Sequence, residues 1–217
     1  DVTIFDEEDC KELSEPYRPG KLREMSFANV ISMVKEYRSL YGFYSDDLVG
    51  DYKRTIDRLQ KEQRPAIEQQ FSSFGNVLYS ELHDFLNHGH EWIAAYDESL
   101  ASVHGLDFTD LICGVHRLFQ DPVVRERWRS RYSYISVDEM QDTGVLEYKV
   151  LEMLWEGNHV LLCGDYFQTI YEWRGSDPFR LLKQFDADFK PLKIIFYENY
   201  RSNWTLFTMA FKTLQNM

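Results

Sequence analysis

No Gly-x-x-x-x-Gly-Lys-Ser/Thr segment occurs in these 217 residues, and no glycine is followed by Lys-Ser or Lys-Thr. The backbone cradle that wraps nucleotide phosphates is therefore absent from the sequence. Cysteine is scarce. The three present, Cys10, Cys113 and Cys163, are too far apart for a metal-ligand spacing and too few for a disulfide framework. They read as reduced thiols, which sets the expectation of a cytoplasmic protein. Apolar runs are only a few residues long, which leaves no helical membrane span. The acidic opening, Asp1 to Asp9, is not that of a secretory leader. Internal repeats and low-complexity linkers are missing too. Positive charge is in short supply, with 24 Lys and Arg against 36 Asp and Glu and a net charge of −12. That balance argues against a nucleic-acid partner, since such proteins neutralise phosphates with basic side chains. It does not exclude one, because a strand-binding track needs only a local groove with stacking side chains.

Apolar residues make up 44% of the chain and aromatic residues 16%, enough for one substantial core or two modest ones. Thr3 to Phe5, followed by Asp-Glu-Glu-Asp, reads as a strand end and a helix start. Residues 10–105 then read as all helical. Ser26 is the expected N-cap of a helix with an apolar face of Phe27, Val30, Ile31, Val34, Tyr37 and Tyr41, stopped by Gly42. Asp51 to Gln63 is strongly charged and reads as an exposed helix. Ile67 to Leu86 reads as another, weak at Gly75, and Trp92 to Val103 as a third, ended by Gly105. His83, His88, His90 and Glu91 would share a helix face, and with no second ligand set a solvated face is preferred over a zinc site.

The character changes after residue 106. Asp121-Pro122 and Asp177-Pro178 place a capping acid before a first-turn proline. Tyr132 to Val137, Asn158 to Cys163 and Leu192 to Phe196 are β-branched or aromatic runs, separated by helical stretches at Leu146 to Trp155 and Pro178 to Phe185. Strand, helix, strand, helix, strand predicts an α/β fold with a parallel sheet and right-handed crossovers. Asn203 to Met217 reads as a helical tail.

Three blocks carry the chemistry. Tyr134 to Thr143 is an apolar strand that ends in two adjacent carboxylates, Asp138 and Glu139, within Val-Asp-Glu-Met-Gln-Asp-Thr. A strand holds such a carboxylate rigidly at its C-terminal edge, where Mg²⁺ and its phosphates can sit, while the second faces an attacking water. Cys163 to Ser176 contains Gly164-Asp165, Gln168, Tyr171, Trp173 and Arg174; Asn199 to Ser202 reads Asn-Tyr-Arg-Ser. In this order the blocks resemble motifs II, III and IV of the UvrD/Rep-type superfamily 1 DNA helicases. Asp107-Phe108-Thr109-Asp110-Leu111 looks like the family's short motif ahead of the Asp-Glu strand. Tyr166, Phe167, Thr169 and Ser176 depart from the usual motif III.

The resemblance implies a partial RecA-like P-loop NTPase domain with an inserted all-helical subdomain: 1–9 at the domain edge, 10–105 the insert, 106–202 the motor part and 203–217 the tail. It implies a fragment of an ATP-dependent, 3′ to 5′ DNA helicase that uses ATP and Mg²⁺ and acts on single-stranded DNA and its junctions with duplex, with the remaining helicase domains as further partners and no membrane. Asp138 would bind Mg²⁺ through a water and Glu139 would orient and deprotonate the lytic water. Asp165 would lie at the nucleotide and Gln168 would sense the γ-phosphate, its alternative being a structural glutamine. Trp173 would stack on a DNA base beside Tyr171, its alternative being core packing. Arg174 would reach a backbone phosphate or an acid near the nucleotide. Tyr200 would stack on adenine, and Arg201 would act as an arginine finger. Asp142 is expected to cap the helix that begins near Thr143-Gly144. Arg18, Arg23, Lys53, Arg54 and Arg58 alternate with acids and read as a solvated face. Without a phosphate cradle the isolated chain is expected to be inactive. A nonhydrolysing helicase-like scaffold and the helicase arm of a helicase-nuclease or defence system remain the alternatives.

Overall fold

The computed structural model describes residues 2–215 apart from 21, 23, 74, 75, 166, 167, 169–177 and 199. It divides into two compact units, Asp1–Leu181 and Leu182–Met217. In the first, β1 (Thr3–Ile4) precedes α1 (Glu7–Ser14), α2 (Glu24–Tyr41), α3 (Leu48–Glu62) and α4 (Arg64–Gln70). A small hairpin, β2 (Ser72–Ser73) with β3 (Asn76–Val77), leads to α5 (Tyr79–Ser102) and β4 (Gly105–Leu106). The chain continues through α6 (Phe108–Leu118), α7 (Pro122–Arg129), β5 (Tyr134–Val137), α8 (Val145–Glu152) and β6 (His159–Leu162). Helix α9 (Pro178–Phe189) spans the division between units, and α10 (Trp204–Gln215) lies in the second.

Two parallel pairings organise the first unit. β1 pairs with β4, bringing Thr3 opposite Gly105 across the whole helical section. β5 pairs with β6, with Tyr134 opposite His159 and Val137 opposite Leu162, and α8 as the crossover. The fold is thus mixed α/β with short parallel sheets, as the alternation of β-branched runs and helical stretches predicts.

The main core is helical. Phe27, Val30, Ile31 and Val34 of α2 are buried as the periodicity requires, against Tyr52, Ile56 and Leu59 of α3 and Phe85, Ile93 and Leu100 of α5. Gly42 ends α2 at φ +71°, a left-handed conformation that glycine adopts without strain. Asp121 caps α7 by accepting from the Val123 N–H.

Several sequence expectations fail here for physical reasons. Helix α2 begins at Glu24, so Ser26 lies inside it rather than at its cap. Helix α3 is not an exposed helix: Tyr52, Ile56 and Leu59 form a buried stripe at helical spacing. Its Asp51 is fully buried, because the Ser45 N–H, the Ser45 hydroxyl and Arg54 supply its hydrogen bonds. Residues 10–105 are not all helical: the β2–β3 hairpin interrupts the stretch 67–86, which is therefore not one helix, whereas 79–102 is continuous through Trp92. Leu192 to Phe196 forms no strand among the described residues of the second unit. A β-branched run is only half of a strand, and the other half is a partner.

Lys35 occupies the most consequential position that the sequence does not announce. It is 4% exposed on α2. Its ammonium lies 2.7 Å from Asp107 and from Asp110 and 3.0 Å from Asp97. Asp97 is on α5; Asp107 caps α6 in a reciprocal box with Asp110. The Tyr96 hydroxyl also donates to Asp107, at 3.1 Å. Burial opposes the lysine's charge, but the three carboxylates outweigh it and hold its pKa well above the usual lysine range. The network joins α2, α5 and the start of α6 at the point where the chain leaves the helical section for the β5–β6 sheet.

Candidate functional site

The end of β5 is shaped by its neighbour. The Cys163 N–H donates to the Val137 carbonyl at 2.8 Å, and the Met140 N–H donates to the Cys163 carbonyl at 2.9 Å. Between these two bonds the chain swings out through Asp138 and Glu139, both exposed. Glu139 takes φ +50°, ψ +41°, a left-handed conformation that a residue with a Cβ adopts only under compensation. Asp138 Oδ1 accepts the Glu139 N–H at 3.0 Å. A 3₁₀ turn, Met140–Asp142, follows and buries Met140 and Gln141.

Asp142 does not cap the next helix. It belongs to this 3₁₀ turn, Gly144 is the N-cap position of α8, and the Gly144 N–H donates to Glu147 at 2.8 Å. One Asp142 carboxylate oxygen is buried without a hydrogen-bond partner among the described residues.

The end of β6 lies alongside. The Asp165 N–H donates to Gln141 Oε1 at 3.0 Å, and Asp165 Oδ2 accepts from Gln168 Nε2 at 2.8 Å. The Gln168 N–H closes the turn on the Asp165 carbonyl at 3.0 Å. The space at 164 is tight: a Cβ there would sit 2.6 Å from Gln141 Oε1 and 3.2 Å from the Met140 nitrogen, so the amide would have to shift. Asp138, Glu139, Asp165 and Gln168 are therefore all placed at the C-terminal ends of two adjacent parallel strands, where open α/β sheets carry their ligands.

The remaining sequence-predicted site residues are either outside the described residues or in the second unit. Tyr171, Trp173, Arg174 and Asn199 lie outside the described residues. Tyr200 and Arg201 are exposed in the second unit, where the Tyr200 hydroxyl donates to Glu198, a bond that raises its pKa. Arg18, Arg54 and Arg58 pair with Glu15, Asp51 and Glu62. No group of three or more His, Cys, Asp or Glu with a metal-holding arrangement occurs among the described residues, the α5 histidines included. Among the same residues no helix is long and apolar enough to cross a membrane. Gln141 and Lys35 are the two organising residues that sequence reasoning missed. The first was visible within the Asp-Glu-x-Gln-Asp block; the second had no local signal.

A cavity of about 640 Å³ is lined by Asp6, Glu36, Asp107, Asp142 and Glu147, among others. Burial, with Glu147 adding to it, pushes the Glu36 carboxyl up to about 8. A folded-state pKa above the unfolded value of about 4.3 makes the folded chain take up a proton. Glu36 therefore favours folding less and less as pH rises from about 4.3 through about 8. Glu36→Gln should flatten that part of the pH–stability curve and leave the variant the more stable protein above pH 8. Urea midpoints at several pH values test this; parallel curves for the two proteins would refute it.

Two parallel strand pairs that end in acidic turns, with the helical section between β1 and β4 in sequence, make up a partial mixed α/β domain. Residues 1–190 match the UvrD/REP helicase N-terminal domain, and the chain belongs to that family. It is 41% identical over 114 residues to the ATP-dependent DNA helicase Rep of Buchnera aphidicola, covering 51% of this chain and 17% of that protein. It is 36% identical over 126 residues to the ATP-dependent DNA helicase PcrA of Staphylococcus aureus, covering 57% and 17%. It is 34% identical over 123 residues to a probable DNA helicase II homolog of Mycoplasma capricolum, covering 56% and 17%. The matched stretch is thus about a sixth of the length of these relatives.

Proposed function

We propose that this chain is the Mg²⁺-binding and hydrolysis-coupling part of an ATP-dependent DNA helicase motor, a RecA-like domain segment that carries residues 10–105 as an inserted helical subdomain. The observation that carries the reading is the Asp138-Glu139 step at the end of β5, bonded through Gln141 to the Asp165–Gln168 turn at the end of β6. Asp138 suits Mg²⁺, which keeps several waters and takes one or two carboxylates plus phosphate oxygens; one exposed strand-end carboxylate, with no metal-holding cage among the described residues, matches that demand. The bound ion would supply charge neutralisation on the phosphates. Glu139 orients and deprotonates the lytic water, and Gln168 reports the γ-phosphate state. Asp165 holds Gln168 in place at the nucleotide. Tyr200 stacks on adenine, and Arg201 stabilises transition-state charge. Tyr171, Trp173 and Arg174 contact single-stranded DNA, and the motor moves 3′ to 5′ toward duplex junctions. The chain lacks a phosphate-cradling loop and by itself turns over no ATP.

The DNA half of the reading is tested in the helicase that carries this chain. Trp173→Ala should weaken single-strand binding by about 1–3 kcal/mol, roughly ten- to hundredfold, while ATPase without DNA changes little. Gln168→Ala should lower the DNA-stimulated rate with a smaller effect on binding. Fluorescence anisotropy with a single-stranded oligonucleotide, alongside phosphate release, separates the two. Unchanged affinity and unwinding in Trp173→Ala would make the indole a packing residue.

A further inference from the structure

Gln141 has no part in the chemistry described so far, yet it is 1% exposed at the centre of the site. A buried amide must satisfy both its ends. Its Nε2 donates to Glu139 Oε2 at 2.5 Å, and its Oε1 accepts the Asp165 N–H at 3.0 Å. These partners fix the amide's orientation: reversed, an oxygen would face the carboxylate and an NH₂ would face an N–H. Among the described residues the hydrogen bond to the Glu139 carboxylate comes from Gln141. Without it, an exposed glutamate on a left-handed backbone is free to change rotamer. Gly164 packs against the amide so closely that a methyl group there would displace it. The bonds form one chain, from Glu139 through Gln141 to Asp165 and on to Gln168.

We propose that Gln141 is a positioning residue for ATP hydrolysis, which sets the Glu139 carboxylate and ties it to the Asp165–Gln168 turn so that the two move as a unit. The proposal rests on the hydrolytic role of Glu139. It differs from a packing role in what it leaves intact: the fold and nucleotide binding should survive its loss, and turnover should not.

The test uses the whole helicase with single-stranded DNA. Gln141→Met keeps the volume and removes both bonds. Gln141→Glu keeps the acceptor for Asp165 but sets a carboxylate against Glu139. Both should lower kcat by about ten- to hundredfold, the range for supporting groups around a reactive one. KM for ATP, the affinity for a nonhydrolysable ATP analogue and the thermal midpoint should stay close to those of the parent. Gly164→Ala should reproduce the kcat loss by pushing the amide aside. The proposal is overturned if Gln141→Met keeps kcat within about twofold of the parent while Glu139→Gln abolishes turnover. It is equally overturned if both Gln141 variants fail to fold, which would make the residue structural. Full turnover in Glu139→Gln would instead remove the hydrolytic reading on which the proposal stands.

Discussion

Lys35→Met should destabilise the folded chain by about 3–5 kcal/mol, the loss expected when one partner is removed from a buried charge cluster. The reason lies less in the lysine than in what it leaves behind. Asp97, Asp107 and Asp110 converge on one ammonium, with side chains between 8% and 23% exposed. Removing the cation leaves three mutually repelling carboxylates in a poorly solvated site, and methionine fills the volume without supplying a donor. The loss is a large fraction of the roughly 5–15 kcal/mol that holds a domain folded. Its pH dependence identifies the cause. In the parent, the lysine's raised pKa means that its contribution is fully present below about 10.4 and fades only as pH rises through the folded-state value. In the variant, protonating the stranded carboxylates relieves the repulsion, so the gap between the two proteins should narrow as pH falls from 7 toward 4.5. Adding Asp97→Asn to Lys35→Met should recover part of the loss at pH 7. Urea denaturation of the three proteins at both pH values measures all of this. A loss below about 1 kcal/mol would mean that the cluster is solvated and contributes as a surface pair does.

The same cluster shows where sequence reasoning stops. The Asp107–Leu111 block is legible as a motif, and Asp121-Pro122 as a helix start, because their signals are local. Lys35 is not: a lysine on a helix is ordinarily solvated, and Asp107 lies 72 residues away. Burial of Asp51 is hidden for a related reason. The charges of α3 suggest an exposed helix, while Tyr52, Ile56 and Leu59 form a stripe on one side of it. Strands β5 and β6 could be read from β-branched content because each has a partner. Leu192 to Phe196 has the same content and no partner among the described residues, so composition alone overstates it. At the site, every residue of the Asp138–Gln141 block was in view, but the role of Gln141 depends on Asp165, which reaches it only through the β5–β6 register.

On the proposed reading, Glu139→Gln in the full-length protein should lower DNA-stimulated ATP turnover by about 10²- to 10⁴-fold, the range for removing a positioned general base. The substitution is nearly isosteric, and the introduced amide oxygen can still accept from Gln141, so the left-handed turn and its bond to the Asp165 side of the site should persist. What disappears is the proton acceptor. The Asp138 carboxylate is untouched, so ATP affinity in the presence of Mg²⁺ should stay near that of the parent, and the effect should appear in kcat rather than in KM. Asp138→Asn should behave differently, because weakening the hold on the ion removes ground-state as well as transition-state charge stabilisation. Its KM for ATP should rise and its turnover should respond to added Mg²⁺, whereas Glu139→Gln should be insensitive to Mg²⁺ above saturation. Steady-state phosphate release across a matrix of ATP and Mg²⁺ concentrations distinguishes the two carboxylates. Residual turnover above about a tenth of the parent in Glu139→Gln, or identical Mg²⁺ responses in the two variants, would show that these adjacent acids do not divide the work of metal binding and water activation in this way.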